Sequence, residues 1–131
     1  LSCETVFLGK LDSDAYQHEM KAAHILLIPY LNSRGYQART SGVLAEAIAA
    51  GKPFITSRDS WMDMQVKQYE TGLAIQDTSA QELAEAMLQM MYDYPAYQQR
   101  AKLAKGAWLR FHSKFNFTEI LIQALQSSSA R

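Results

Sequence analysis

The chain has 131 residues, of which 48% are hydrophobic and 20% are charged, a balance typical of one globular domain with a buried core. Thirteen basic residues balance thirteen acidic residues, and no basic stripe is visible, which argues against a nucleic-acid partner. One cysteine excludes an internal disulfide, and three histidines without ligand spacing leave no metal site to propose.

We expect a cytoplasmic protein, either free or peripheral at the inner face of the membrane. No signal peptide is visible, and the lone cysteine fits a reducing compartment. The longest apolar run, ILLIP, is far shorter than the roughly 20 residues that span a bilayer.

Short apolar runs bounded by Gly, Pro or polar residues predict four strands. They cover residues 5–9, 24–29, 53–57 and 71–75. Apolar residues at helical spacing predict helices between and after these strands, although the segment 60–70 is ambiguous. The helices cover residues 13–23, 41–50, 60–70, 77–94, 95–112 and 116–125.

Capping residues set several of the predicted helix ends. Gly51 stands where a left-handed cap would end the helix over 41–50. Ser79 and Glu82 have the spacing of a reciprocal capping box, and Pro95 occupies a permitted first-turn position.

The order of these elements predicts the fold class. Strands alternate with helices, and each strand is a continuous apolar run, which is typical of a parallel sheet covered on both faces. We therefore predict an α/β fold with a doubly wound parallel sheet. It forms one domain over residues 1–126, followed by a polar tail over 127–131 that is expected to fray.

The entrance to the helix over 41–50 combines groups that suit a nucleotide diphosphate. The helix follows a strand and a polar loop, so it begins at the sheet edge where ligands bind. Its free amides, the Ser41 hydroxyl and Arg39 suit a phosphate, and Gly42 permits close approach of the backbone. Glu46 lies one turn later on the face of Gly42, where it could accept two ribose hydroxyls. Ordinary helix capping would also explain Ser41 and Gly42, and a solvent-exposed position would explain Glu46. The nucleotide-site and the purely structural interpretations therefore both stay open.

A family resemblance favours the nucleotide interpretation. The segment SGVLAEAIAAGKPFITS, followed by TGLAI, resembles the donor-binding, C-terminal domain of GT-B glycosyltransferases of group 1, the glycogen-synthase-like type. The shared pattern is Glu46-Ala47 in a helix, Gly51-Lys52-Pro53 before a strand, and Thr71-Gly72 before the next strand. Similar elements before and after this segment extend the resemblance over residues 5–125. It implies a Rossmann-like half of the GT-B fold.

The resemblance assigns roles to individual residues. Glu46 matches the glutamate that holds the nucleotide ribose. Ser41, Gly42 and Val43 match the helix start, whose amides meet the diphosphate. Gly51 and Pro53 match structural positions without a chemical role.

The chain departs from the family pattern at the sugar half of the site. Ala38 stands where the family often has an acidic residue that contacts the donor sugar. Ser60-Trp61 replaces a Gly-Gly pair, and Met64 replaces a glutamate. Trp61 could stack on a sugar or a base, although packing is the simpler role. These changes indicate either a new specificity or a loss of activity.

The resemblance implies that this sequence lacks parts of the family architecture. We expect it to lack the acceptor-binding domain and the first two βα units of the donor domain, whose strands would lie between those predicted over 5–9 and 24–29. We therefore interpret the chain as a fragment of a larger enzyme, with the acceptor-binding domain as a partner, or as a domain that completes its sheet in another way. Homo-oligomers through an exposed sheet edge or the aromatic C-terminal surface are a second expectation.

The resemblance implies transfer of a sugar from a UDP-sugar or GDP-sugar donor to an unknown acceptor, with retention of configuration and without a metal or other cofactor. The catalytic residues of such a reaction are not identifiable here, and the chain is expected to be inactive without the acceptor domain. Two alternatives remain: a nucleotide-sugar epimerase, which also uses a Ser-Gly helix opening, and a non-catalytic assembly module of the same fold.

Overall fold

The computed structural model describes residues 4–31 and 39–129. Nine helices and strands lie in these two ranges. They are α1 (Ser13–Ala22), β1 (Leu26–Ile28), α2 (Gly42–Ala50), β2 (Phe54–Ser57), α3 (Trp61–Tyr69), β3 (Gly72–Ile75), α4 (Ala80–Tyr92), α5 (Tyr94–Phe111) and α6 (Lys114–Ser129). All six predicted helices and three of the four predicted strands are present.

The three strands form one parallel sheet in the order β1-β2-β3. Leu27 pairs with Ile55, and Ile55 pairs with Leu73, so β2 lies between the other two strands. All four residues of β2 are buried. This complete burial explains why the strand is a continuous apolar and small-residue run.

Helices cover both faces of the sheet. On one face, Phe54 of β2 packs in a cluster with residues of α2, α3 and α5, among them Leu44 and Trp108. On the other face, Ile55 packs with Met90 of α4 and with α5. The predicted doubly wound α/β architecture is therefore confirmed.

The helix ends follow the predicted capping, with one difference. Gly51 has φ 70 and ends α2 in the left-handed conformation. Ser79 caps α4 by accepting the Glu82 amide, but the reciprocal half of the capping box is absent. The Glu82 carboxylate instead accepts the Gln76 amide at 2.9 Å and binds Arg58. The backbone amide of Ser79 donates to the Gln76 carbonyl, so the helix start is satisfied by the preceding turn.

The strand predicted over residues 5–9 is wrong. Residues 4–9 form no regular structure, and their apolar side chains are exposed, Phe7 to 95%. A strand needs neighbours for its backbone hydrogen bonds, and within the described residues β1 pairs with β2 alone.

The C-terminal helix is longer and more exposed than predicted. It continues through Ser129, so residues 127–129 of the predicted polar tail are helical. All six of its large apolar side chains are exposed, and they are Phe115, Phe117, Ile120, Leu121, Ile122 and Leu125. Among residues 4–31 and 39–129, no helix combines the length and apolar character that a bilayer span requires.

Gly72 is required by the close approach of β2 and β3. A Cβ atom added at this position would lie 2.3 Å from the carbonyl oxygen of Phe54 and 3.0 Å from its ring. In a close-packed interior, neither the backbone nor the fully buried Phe54 ring can shift without a cost in free energy. Close packing of β2 against β3 therefore explains the glycine in the Thr-Gly pair of the sequence pattern.

We expect Gly72→Ala to destabilise the fold by about 2 kcal/mol, because overpacking forces β2 and β3 apart. Gly106→Ala is the matched control: its Cβ would meet the flexible end of Arg110 at 3.4 Å in the interior of α5. That variant should be as stable as the original chain or more stable by up to about 1 kcal/mol. Thermal and denaturant unfolding of both variants test this, and equal effects would contradict it.

Candidate functional site

Polar groups converge at the edge where β1 and β2 end and α2 begins. The Ser57 hydroxyl donates to the Tyr30 carbonyl, directly after β1. Ser60 donates to the Ser57 carbonyl at 2.8 Å, and Ser41 donates to the Tyr30 hydroxyl at 3.3 Å. These bonds join both strand ends to the helix start, so this edge is held as one unit.

The N-terminus of α2 retains backbone donors. Ser41 is 4% exposed, and its hydroxyl accepts the Leu44 amide at 3.2 Å. The Ala45 amide donates to the Ser41 carbonyl. The amides of Gly42 and Val43 have no acceptor among the described residues, as expected for a first helical turn. Two donors at the positive end of a helix dipole favour an anion such as a phosphate.

Ser41 caps α2, and its predicted bond to the diphosphate stays a prediction. The sequence suggested that its hydroxyl would add a bond to the diphosphate. In the structure that hydroxyl is buried, accepts the Leu44 amide and donates to the Tyr30 hydroxyl. Gly42 is exposed, and Val43 is 37% exposed.

Glu46 lies one turn beyond Gly42 and forms a hydrogen bond across helices. The Tyr16 hydroxyl of α1 donates to Oε2 of Glu46 at 2.6 Å. This bond to Glu46, together with partial burial, raises the pKa of Tyr16 to about 12. The short distance is typical of a charge-assisted bond, which fixes the carboxylate between the two helices.

A cavity of about 490 Å³ opens beside Glu46, between α1, α2 and α5. It extends toward the C-terminal ends of α1 and α2, where Ala49, Ala50 and Lys52 line it. Lys52 Nζ donates to the carbonyls of Lys21 and Ala23, so it satisfies the end of α1. The cavity thus lies at the negative ends of two helices, and the anion donors lie at the other end of α2.

The remaining predicted site residues differ from one another in exposure and in packing. Arg39 is exposed two residues before the α2 cap, whereas Ala38 lies outside the described residues. Trp61 opens α3 half-buried and packs against the cluster around Phe54. Met64 is exposed on the same helix.

The turn between β2 and α3 is formed by Ser60, at the position where the family pattern has a Gly-Gly pair, and by its neighbours. Asp59 has φ 56, and its amide donates to the buried Asp63 carboxylate at 3.1 Å. Ser60 caps α3 by accepting the Asp63 amide, and Lys67 pairs with Asp63 at 2.8 Å. Ser60 and Asp63 therefore both serve the start of α3.

Sequence reasoning missed the two tyrosines of the site. Tyr16 lies 30 residues before Glu46, and no spacing rule links positions on separate helices. Tyr30 was assigned only to a loop, although it follows a strand at the ligand edge. Within the described ranges, no group of three or more His, Cys, Asp or Glu side chains is arranged to hold a metal ion.

We expect one of the seven tyrosines to titrate near pH 12 rather than near its ordinary 10.0. Because the folded pKa is raised, the stability contributed by the Tyr16–Glu46 bond is present below pH 10 and is lost as the pH rises through about 12. This contribution is small because the bond is exposed to solvent. Difference titration of phenolate absorbance between the original chain and Tyr16→Phe measures this. Glu46→Gln should lower the Tyr16 pKa, and an unchanged titration would contradict the assignment.

Comparisons with known proteins agree with this architecture. The family model described as glycosyl transferases group 1 matches residues 1–107. Comparison with curated protein sequences finds no significant match. Sucrose-phosphate synthase from Thermosynechococcus elongatus is similar in structure, with a TM-score of 0.68 and 23% sequence identity.

The similarity to that synthase covers 94% of this chain and 30% of the synthase chain. At this identity the likeness shows a shared fold, and the chain spans about a third of the solved structure. The family match is independent of it and covers well over half of the 131 residues. The chain belongs to the group 1 glycosyl transferases.

Proposed function

We propose that this chain binds the nucleotide-diphosphate sugar donor of a glycosyltransferase. The observation that carries the proposal is the start of α2. Two backbone amides without acceptors among the described residues, those of Gly42 and Val43, lie there at the carboxyl edge of the sheet. Membership of the group 1 family supports this donor class.

In this proposal the diphosphate occupies the first turn of α2. The amides of Gly42 and Val43 donate to phosphate oxygens, and Arg39 adds positive charge from the preceding loop. When the bond from the anomeric carbon to the diphosphate breaks, its electron pair stays on the phosphate oxygen. Fixed donors then stabilise the negative charge that develops, which lowers the barrier.

The ribose is proposed to bind Glu46. The carboxylate lies on the same helix face as Gly42, one turn further from the start of α2. Two neighbouring hydroxyls can donate to one carboxylate, so UDP and GDP are both suitable nucleotides. The acceptor hydroxyl, which forms the new bond and loses its proton, comes from outside this chain. We propose that the configuration is retained, as the family resemblance implies.

A non-catalytic assembly module is the second candidate, and the β2–α3 turn favours it. Where the resemblance expects two glycines near the donor sugar, Ser60 caps α3 and Trp61 packs against the core. This turn is therefore used for folding. A module of this kind would bind no nucleotide sugar, so nucleotide binding separates the two candidates.

We expect UDP or GDP to bind the chain and Gly42→Ala to weaken that binding about tenfold, because the added methyl group blocks close approach of the diphosphate. No atom lies within 4 Å of the added Cβ, so the variant should be at least as stable as the original chain. Calorimetric titration and thermal unfolding measure the two effects.

Glu46→Gln should weaken UDP binding about tenfold or more, because hydrogen bonds to a charged acceptor are lost. Glu119→Gln is the matched control, since this glutamate is exposed on α6. Titration of both variants with UDP tests the assignment. Absence of UDP and GDP binding in the original chain, or equal affinities in the two variants, would contradict the proposed site.

A further inference from the structure

The bond between Tyr16 and Glu46 links the proposed ribose acceptor to a second helix. Its length of 2.6 Å places it among strong, charge-assisted hydrogen bonds. Tyr16 lies near the start of α1, and Glu46 lies in the middle of α2. The bond therefore joins two helices whose positions are set by other contacts.

The carboxylate has room for a ribose while this bond persists. Its two oxygens offer about four acceptor positions. Tyr16 uses one position on Oε2 and leaves Oε1 without a described donor. A ribose hydroxyl can therefore bind Oε1, and a second can share Oε2, without displacing the phenol.

Glu46 is exposed, so its side chain would sample several rotamers without a partner. Ordering a glutamate side chain costs free energy that binding must otherwise supply. The Tyr16 bond orders it before any ligand arrives. Preorganisation of this kind strengthens binding through the group that is held.

We propose that Tyr16 is a positioning residue that holds Glu46 in the rotamer that accepts the nucleotide ribose. The inference rests on the proposed function, because it requires Glu46 to be the ribose acceptor. It extends the binding site to α1, which the sequence pattern did not include.

A purely structural role for the bond is the alternative, and two contacts argue against it. Met20 is buried at 6% exposure and anchors α1, and Lys52 Nζ donates to the carbonyls of Lys21 and Ala23 at its end. The helix is thus fixed without Tyr16. Because the Tyr16–Glu46 bond is exposed, its loss should change stability little.

The test compares UDP with 2′,3′-dideoxy-UDP, which lacks both ribose hydroxyls. We expect Tyr16→Phe to weaken UDP binding about three- to tenfold and to leave dideoxy-UDP binding unchanged. In a Glu46→Gln background the same substitution should have no further effect, since the positioned group is gone. Tyr92→Phe, at a fully surface-exposed tyrosine on α4, is the matched control. Thermal unfolding should be nearly unchanged in both tyrosine variants.

Every other outcome would contradict the role of Tyr16, the role of Glu46 or the proposed function. Equal weakening of both nucleotides would show a structural role, and unchanged or tighter UDP binding would show that Tyr16 does not assist the ribose. If the original chain binds UDP and dideoxy-UDP equally, Glu46 is not the ribose acceptor and the inference fails while diphosphate binding stands. If it binds neither nucleotide, the proposed function fails as well.

Discussion

The burial of one face of α2 sets the geometry of the candidate site. Leu44, Ala47 and Ile48 are at most 1% exposed and pack against the sheet. Their spacing directs Gly42 and Glu46, which are one turn apart, to the opposite and exposed side. The apolar run therefore keeps one acidic residue because that position does not enter the core. Packing and chemistry occupy different faces of the same helix.

The parallel sheet adds a second constraint, because it places the carboxyl ends of β1 and β2 at one edge. Tyr30, Ser57 and Ser60 connect these strand ends through hydrogen bonds, and Ser41 joins them to α2. A helix start fixed on both sides does not need to rearrange to meet an anion. Such a rigid set of donors is what the stabilisation of a leaving diphosphate requires.

Much of the fold follows from local patterns, whereas the exceptions depend on contacts between elements that are distant in sequence. Caps such as Ser41 and Gly51 and the burial of β2 depend on residues close in sequence, so they were predictable. The segment over 5–9 has the pattern of a strand, but a strand also needs partners, and among the described residues this segment pairs with none. The Tyr16–Glu46 bond depends on how α1 packs against α2, which no single-helix rule describes. The packing of half-buried Trp61 against the core also depends on distant residues, and its stacking role stays a prediction.

Large apolar surfaces of the described residues are exposed. They include the Phe7 side chain and the apolar side chains of α6, and β1 has a strand on one side only among the described residues. The expected acceptor domain, or a second copy of the chain, would cover such surfaces, and both partners stay predictions.

The central claim is that a nucleotide diphosphate binds at the start of α2, and backbone amide shifts test it most directly. Titration of the isotope-labelled chain with UDP should move the amides of Gly42 and Val43 most, followed by Glu46. Shifts concentrated along the cavity at Ala49 and Lys52, or no shifts at saturating UDP, would contradict the account.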